Sequence, residues 1–293
     1  MVEGIDLACP DWEIQVLGQF SVTKDRQPVA LPQASKRLLA WLAVYPRPQP
    51  RASVAARLWP DLRADRAAAA MRTALWTLNR AVGIALRPNP AGLQLDDRTG
   101  VDLWRCLNRA RLLPRDQDLS ASSTGNPEPD VDFDAHDWPS WVEDFSRDLL
   151  PEWSDDWLVL HRERHRQVRM HALEDLCRVL TRTGRTDAAI EIALEAVAAD
   201  PLRESAQRLL IGLHVAEGNL SEAVRQYRAY DHELRRHLGV SPSRELAALL
   251  PLLHGPPARA SPLARSSATN SNAVASRSND LGGDAQTAAM QRP

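Results

Sequence analysis

Apolar and polar positions change their period along this chain, and each change marks an element. Over residues 12–31 the pairs Ile14/Val16, Phe20/Val22 and Val29/Leu31 recur two apart, with a polar stretch from Thr23 to Gln27 between them. A period of two buries one face of a strand, so this segment predicts short strands in an antiparallel meander. From Ser35 the spacing becomes helical. Leu38, Leu39, Leu42 and Ala43 predict a first helix that ends at Tyr45-Pro46. A second helix is predicted over about Ala52–Leu58, stopped at Trp59-Pro60. A third starts after Asp65 and runs to Val82, with Met71, Leu75, Leu78 and Val82 as its inner stripe and Gly83 as its stop. Beyond it, a short apolar segment ending at Leu86, the Pro/Asn/Gly turn Asn89–Gly92 and the pair Leu93/Leu95 predict a hairpin. Strands, three helices with the third longest, then a hairpin form the layout of a winged helix-turn-helix.

The second half is helical in period from Leu149 to about Leu250, and it contains a repeat. Gly184-Arg-Thr-Asp-Ala-Ala-Ile recurs as Gly218-Asn-Leu-Ser-Glu-Ala-Val, 34 residues later. That is the tetratricopeptide period, with Ala189 and Ala223 at the small position, Asp200-Pro201 closing the first copy and Tyr227 at a packing position. Trp153 and Trp157, spaced i, i+4, are expected on a first long helix over 149–184. The fold class is therefore mainly α with a small β component, an α+β winged helix followed by an all-α domain. The expected organisation is 11–110 for the winged helix, 111–145 for an acidic linker rich in Ser, Pro and Asp, 146–253 for the helical domain, and 254–293 for a disordered tail.

Charge sharpens this division. The net charge of the 293 residues is −2, which by itself argues against nucleic acid. Residues 11–110, however, carry 15 Lys and Arg against 8 Asp and Glu, residues 111–160 carry 3 against 13, and residues 161–250 carry 14 against 13. The basic excess sits in the winged helix, where a DNA-binding surface would need it. Three scattered cysteines, Cys9, Cys106 and Cys177, form no CxxC pair, which argues against a disulfide framework or a structural zinc. No apolar run approaches the ~18 residues of a membrane helix, and the N-terminus has no signal-peptide pattern. A cytoplasmic location is expected. There is no P-loop, GxGxxG, HExxH or GxSxG, and no nucleophile–base constellation, so neither an enzyme nor a cofactor is expected.

Candidate chemistry concentrates on the third helix. Opposite its apolar stripe a wheel places Arg66, Ala69, Ala70, Thr73, Thr77 and Arg80, flanked by Arg72, Trp76 and Asn79. Arginine reaches guanine edges or phosphate, a threonine methyl touches thymine, and Asn reads adenine. Further contacts are expected from Lys36 and Arg37 at the start of the first helix, Arg51 and Ser53 at the start of the second, and Arg87 and Arg98 around the wing, since helix N-termini present free N–H groups to phosphate. In the helical half, Arg208, His214 and Tyr230 are candidates for lining a partner-binding surface. His161 and His165 share a metal-ligand spacing, but no further ligand stands beside them, so a solvated face and no metal are expected.

These residues carry a resemblance. LLAWLAVYP, RASVAARLWPD, AAMRTALWTLNRAV and VDLWRC resemble the OmpR-type winged helix of the Streptomyces antibiotic regulatory proteins. DPLRESAQRLL, EGNLSEAVRQY and LGVSPSREL resemble their bacterial transcriptional activation domain. The resemblance implies an activator that binds direct repeats in double-stranded DNA near promoters, as a homodimer on DNA, and that contacts RNA polymerase. The third helix would be the major-groove helix and Asn89–Gly92 the wing. The segment 67–79 carries fewer arginines than such proteins often have, which implies a shallow salt dependence. The contrasting expectation is an interaction scaffold that works through its helical half with weak or no DNA binding.

Overall fold

The computed structural model describes residues 12–82, 86, 89–114 and 137–250. Arg87, Gly83, the side chain of Val82, Cys9, most of the expected linker and the C-terminal tail lie outside the described residues.

The meander forms as the period-two pattern predicts. Strands β1 (Trp12–Gln15), β2 (Ser21–Lys24) and β3 (Gln27–Pro28) pair antiparallel, with Ile14 opposite Val22. Asp25 and Arg26, both at positive φ, make the two-residue turn whose twist suits adjoining strands. A strand the pattern did not predict, β4 (Thr99–Val101), lies parallel to β1 on its other side, and the order is β3-β2-β1-β4. A parallel partner requires a crossover. Here the crossover contains α1 (Gln33–Val44), α2 (Arg51–Leu58) and α3 (Ala64–Val82). The chain continues from β4 directly into α4 (Asp102–Leu112).

The junction of β4 and α4 is tied to β1 by one carboxylate. Buried Asp102 accepts the backbone N–H groups of Val16 (2.9 Å), Leu17 (2.9 Å) and Leu103 (2.7 Å). Burial pushes its pKa up and these three hydrogen bonds oppose that. They supply the acceptors that donors at a strand end and a helix start otherwise lack.

In the second half α5 (Trp138–Ser146) precedes the long α6 (Leu158–Arg182). Then follow α7 (Thr186–Ala199), α8 (Glu204–Ala216), α9 (Leu220–Leu238) and the short α10 (Arg244–Ala248). The 34-residue repeat is a repeated helix stop. Gly184 and Gly218 are left-handed, at φ 74° and 78°. The following N–H closes on the carbonyl five residues back in each case, Arg185 on Leu180 (2.9 Å) and Asn219 on His214 (2.8 Å). This is the Schellman closure, which favours glycine at its left-handed position. Each closure turns the chain into a helical hairpin, α6/α7 and α8/α9.

Two expected boundaries move. Residues 111 and 112 belong to α4, and the end of the expected linker is α5. The described residues all lie in one compact unit. A single buried cluster runs from Ile14, Leu39 and Trp41 through Cys106, Phe145 and Leu150 to Leu176 and Ile192. A smaller one holds Ile211, Tyr230, Leu234 and Leu246.

The lead-in to α6 joins the halves. Leu149 pairs antiparallel with Leu17; Leu150 N–H donates to the Val16 carbonyl (2.9 Å) and Gly18 N–H to the Asp148 carbonyl (2.7 Å). Trp153 and Trp157 do not lie on a helix, since α6 begins only at Leu158. Trp157 packs 5.0 Å from Trp41, and Trp153 5.4 Å from Phe20. Their i, i+4 spacing reflects packing of a turn onto the winged helix. The expected solvated face of His161 and His165 is likewise corrected. His161 sets its ring edge-on to Tyr45 at 4.6 Å, and His165 is 4% exposed against α4.

Candidate nucleic-acid interface

The inner and outer faces of α3 divide as its sequence requires. Ala67, Met71, Ala74, Leu75 and Leu78 are buried. Arg66, Ala69, Arg72, Thr73, Trp76, Asn79 and Arg80 are exposed, and Thr77 is half-buried. The inner stripe packs on α1 and α2, and the Ser35 hydroxyl of α1 donates to the Ala74 carbonyl (3.3 Å). The helix is thereby fixed with its polar and aromatic face outward. Trp76 is 59% exposed, and the Arg80 guanidinium lies 5.1 Å over its ring. The Thr73 hydroxyl donates to the Ala69 carbonyl (3.2 Å) and that of Thr77 to the Thr73 carbonyl (2.9 Å).

The wing is anchored beside the start of α2. Gln49, two residues before that helix, exchanges two backbone hydrogen bonds with Leu93, at 2.9 and 2.8 Å, and Leu86 bridges Leu95. The Asn89 side chain accepts from Ala91 N–H at 2.8 Å, closing the turn. At Gly92, φ is 150° and an added Cβ would stand 2.1 Å from the Gln49 carbonyl oxygen, so this close approach requires glycine. Arg51 and Ser53 are exposed on the first turn of α2. Arg98 is exposed before β4, with its Nε 3.4 Å from Asp96.

The sequence-based site changes at the first helix. Lys36 is half-buried, and Arg37 is turned away from solvent toward the helical half, where its Nε donates to Asp155 at 3.0 Å. Among the partner-side candidates Arg208 is exposed. Tyr230 is corrected from a lining residue to a core residue. It is 2% exposed, with its hydroxyl 3.4 Å from the Leu202 carbonyl and 3.5 Å from Glu204. His214 is half-buried, with Nδ1 enclosed and unpartnered among the described residues.

Sequence reasoning missed how the acidic joint is used. Asp144, its side chain 5% exposed, takes a bidentate pair of hydrogen bonds from Arg105 (3.1 Å each) and one from Arg109 (2.6 Å). Arg109 also reaches Asp137, and Arg169 reaches Asp148. The opposite charges of neighbouring segments were the available signal. The same packing brings Cys106 Sγ to 3.8 Å from His165 Nε2. Burial pushes the thiol up to about 12 and the imidazole down to about 4, the latter helped by Arg169 and opposed by Asp148. Both groups are packed neutral, the reverse of an activated thiolate–imidazolium pair. Among the described residues no group of three or more His, Cys, Asp or Glu is arranged to hold a metal, and no helix is long and apolar enough to cross a membrane.

The architecture is thus a winged helix sharing one core with tetratricopeptide-like hairpins. Residues 141–251 match the bacterial transcriptional activator domain. The fold resembles that of Mycobacterium tuberculosis EmbR, solved in complex with a low-affinity phosphopeptide, at a TM-score of 0.58 and 20% identity. The match covers 84% of this chain and 66% of that one, so this chain spans just under two thirds of its length. No curated protein matches the sequence. Over residues 141–251 the chain is therefore similar to regulators that carry a bacterial transcriptional activator domain.

Proposed function

We propose that the protein is a cytoplasmic activator that acts by binding and not by catalysis. In this reading α3 enters the major groove of double-stranded DNA while the start of α2 and the wing grip the flanking phosphates. The observation that carries it is the outward face of α3, where Arg66, Arg72, Asn79 and Arg80 stand exposed around Trp76 in the domain that holds the basic excess. Binding to direct repeats as a side-by-side pair and contact of the helical half with RNA polymerase complete the reading, by likeness to the family.

The test is a salt titration of binding to the chain's own upstream region. A specific complex falls in affinity linearly in log salt, with a shallow slope given the few arginines on α3. Arg80→Ala is expected to weaken binding about tenfold, as loss of one base or phosphate contact does. Failure to bind at low salt would favour the scaffold reading.

A further inference from the structure

We propose that α3 reads thymine methyl groups, through an apolar ridge formed by Ala69, Thr73, Trp76 and Thr77. The inference rests on the DNA reading above and deepens it by naming the class of base.

Positions 69, 73, 76, 77 and 80 are spaced i, i+4, i+7, i+8 and i+11, a single stripe opposite the buried one. A stripe that reads bases by hydrogen bonds needs free donors. Here both threonine hydroxyls spend their proton inside the helix, on the carbonyls of Ala69 and Thr73. A threonine bonded back in this way leaves its methyl as the group for an outside partner. Ala69 has only a methyl. Trp76 leaves most of an indole in water, a cost that burial against an apolar group would recover. Arg66 begins the stripe and Arg80 ends it, stacked on that indole, so the strong donors of the stripe are held at its two ends. Arg72 flanks the ridge, where phosphates would pass.

Within the major groove only thymine presents a methyl group. A ridge of methyls and one indole, with its polar groups displaced to the ends and flanks, therefore fits a run of thymines better than a guanine-rich run. The stack gives Trp76 a second task, positioning Arg80 for the base or phosphate at the end of that run.

The experiment uses the full chain. Duplexes selected from random DNA are expected to carry thymines at the centre of the bound site. Replacing those thymines by deoxyuridine removes the methyl and keeps the pairing edge. Affinity is expected to fall about fourfold for each methyl that the ridge covers. Trp76→Ala should lower affinity for the thymine duplex about fourfold more than for the deoxyuridine duplex, the loss expected for one covered methyl. Thr73→Ser, which keeps the hydroxyl and removes one methyl, should lose part of the preference for thymine over deoxyuridine and tests the ridge even if Trp76→Ala were poorly folded. Equal affinity of the parent for thymine and deoxyuridine duplexes overturns the methyl reading and leaves the DNA reading standing. Binding of no duplex at low salt overturns both.

Discussion

Arg37, at the start of the first helix, donates to Asp155, 118 residues later in the turn that precedes α6. Both side chains are largely shielded, at 26% and 14% exposure. A residue placed by sequence among the phosphate contacts instead fastens the winged helix to the helical half. Arg37→Ala is accordingly expected to lower unfolding stability by about 1 kcal/mol, as for a partly shielded pair, and to change DNA affinity less than twofold. Urea unfolding and fluorescence anisotropy on the same variant check both. A fivefold loss of affinity without loss of stability would return Arg37 to the DNA face.

Asp144 is the more heavily used carboxylate, since it serves both Arg105 and Arg109 from a buried position. Asp144→Ala takes one buried acceptor from both guanidinium groups, leaving Arg109 on Asp137 and Ser140 and Arg105 near Glu13, and is expected to cost about 2–3 kcal/mol. Asp144→Asn, which keeps one acceptor oxygen, should cost less. Chemical denaturation of the two variants gives the order, and equal midpoints for Asp144→Ala and the parent would refute it.

His165 gives the joint a pH dependence. Its folded pKa of about 4 lies below the ordinary 6.5, so between these values the unfolded chain binds the proton that the folded chain refuses. The stabilisation is complete above pH 6.5 and is lost as pH falls toward 4. At 1.36 kcal/mol per pH unit the loss is on the order of 3 kcal/mol. Burial shifts His161 in the same direction. The melting temperature should drop between pH 7 and pH 5, and His165→Gln should show a smaller drop. An identical drop in that variant would remove His165 from the account.

Gly92 sets the wing against the lead-in to α2. Gly92→Ala must move either the wing or the Gln49 backbone, and is expected to cost about 2 kcal/mol or more through clash and strain. DNA affinity should fall with it, because the wing loses its anchor. The same substitution at Gly184 or Gly218, where an added Cβ meets nothing within 4 Å, should cost only about 1 kcal/mol from the left-handed backbone. Thermal melts of the three variants separate clash from conformational preference.

What the sequence made legible follows from the range of each interaction. The helices α1, α2 and α3 repeat every three to four residues, so Leu38, Leu42, Met71, Leu75 and Leu78 announced their buried face. Gly184 and Gly218 announced the 34-residue repeat, and the left-handed closure at each became visible only in the fold. The parallel pairing of β1 with β4 was not legible. Val101 stands 87 residues from Ile14, and a three-residue strand has no period to show. The spacing of Trp153 and Trp157 was misleading, since a turn that packs two indoles onto another surface can mimic a helical interval. Arg37 and Tyr230 failed as site residues for a related reason. Arginine and tyrosine serve buried hydrogen bonds and open surfaces alike, and only the fold tells which. The outer face of α3 was legible because burial of one face of a helix determines the other.

The pairing of Leu149 and Leu150 with the end of β1 decides where the chain can be cut and rejoined. A graft that moves the winged helix of this protein onto another chain must carry residues through Trp157, with the indole that packs on Trp41 and the carboxylates that neutralise Arg37, Arg105 and Arg109. A winged helix severed at residue 114 would keep its α3 but uncover Cys106 and the end of β1. In evolutionary exchange as in engineering, the portable piece is thus longer than the winged helix and overlaps the activator domain that follows it.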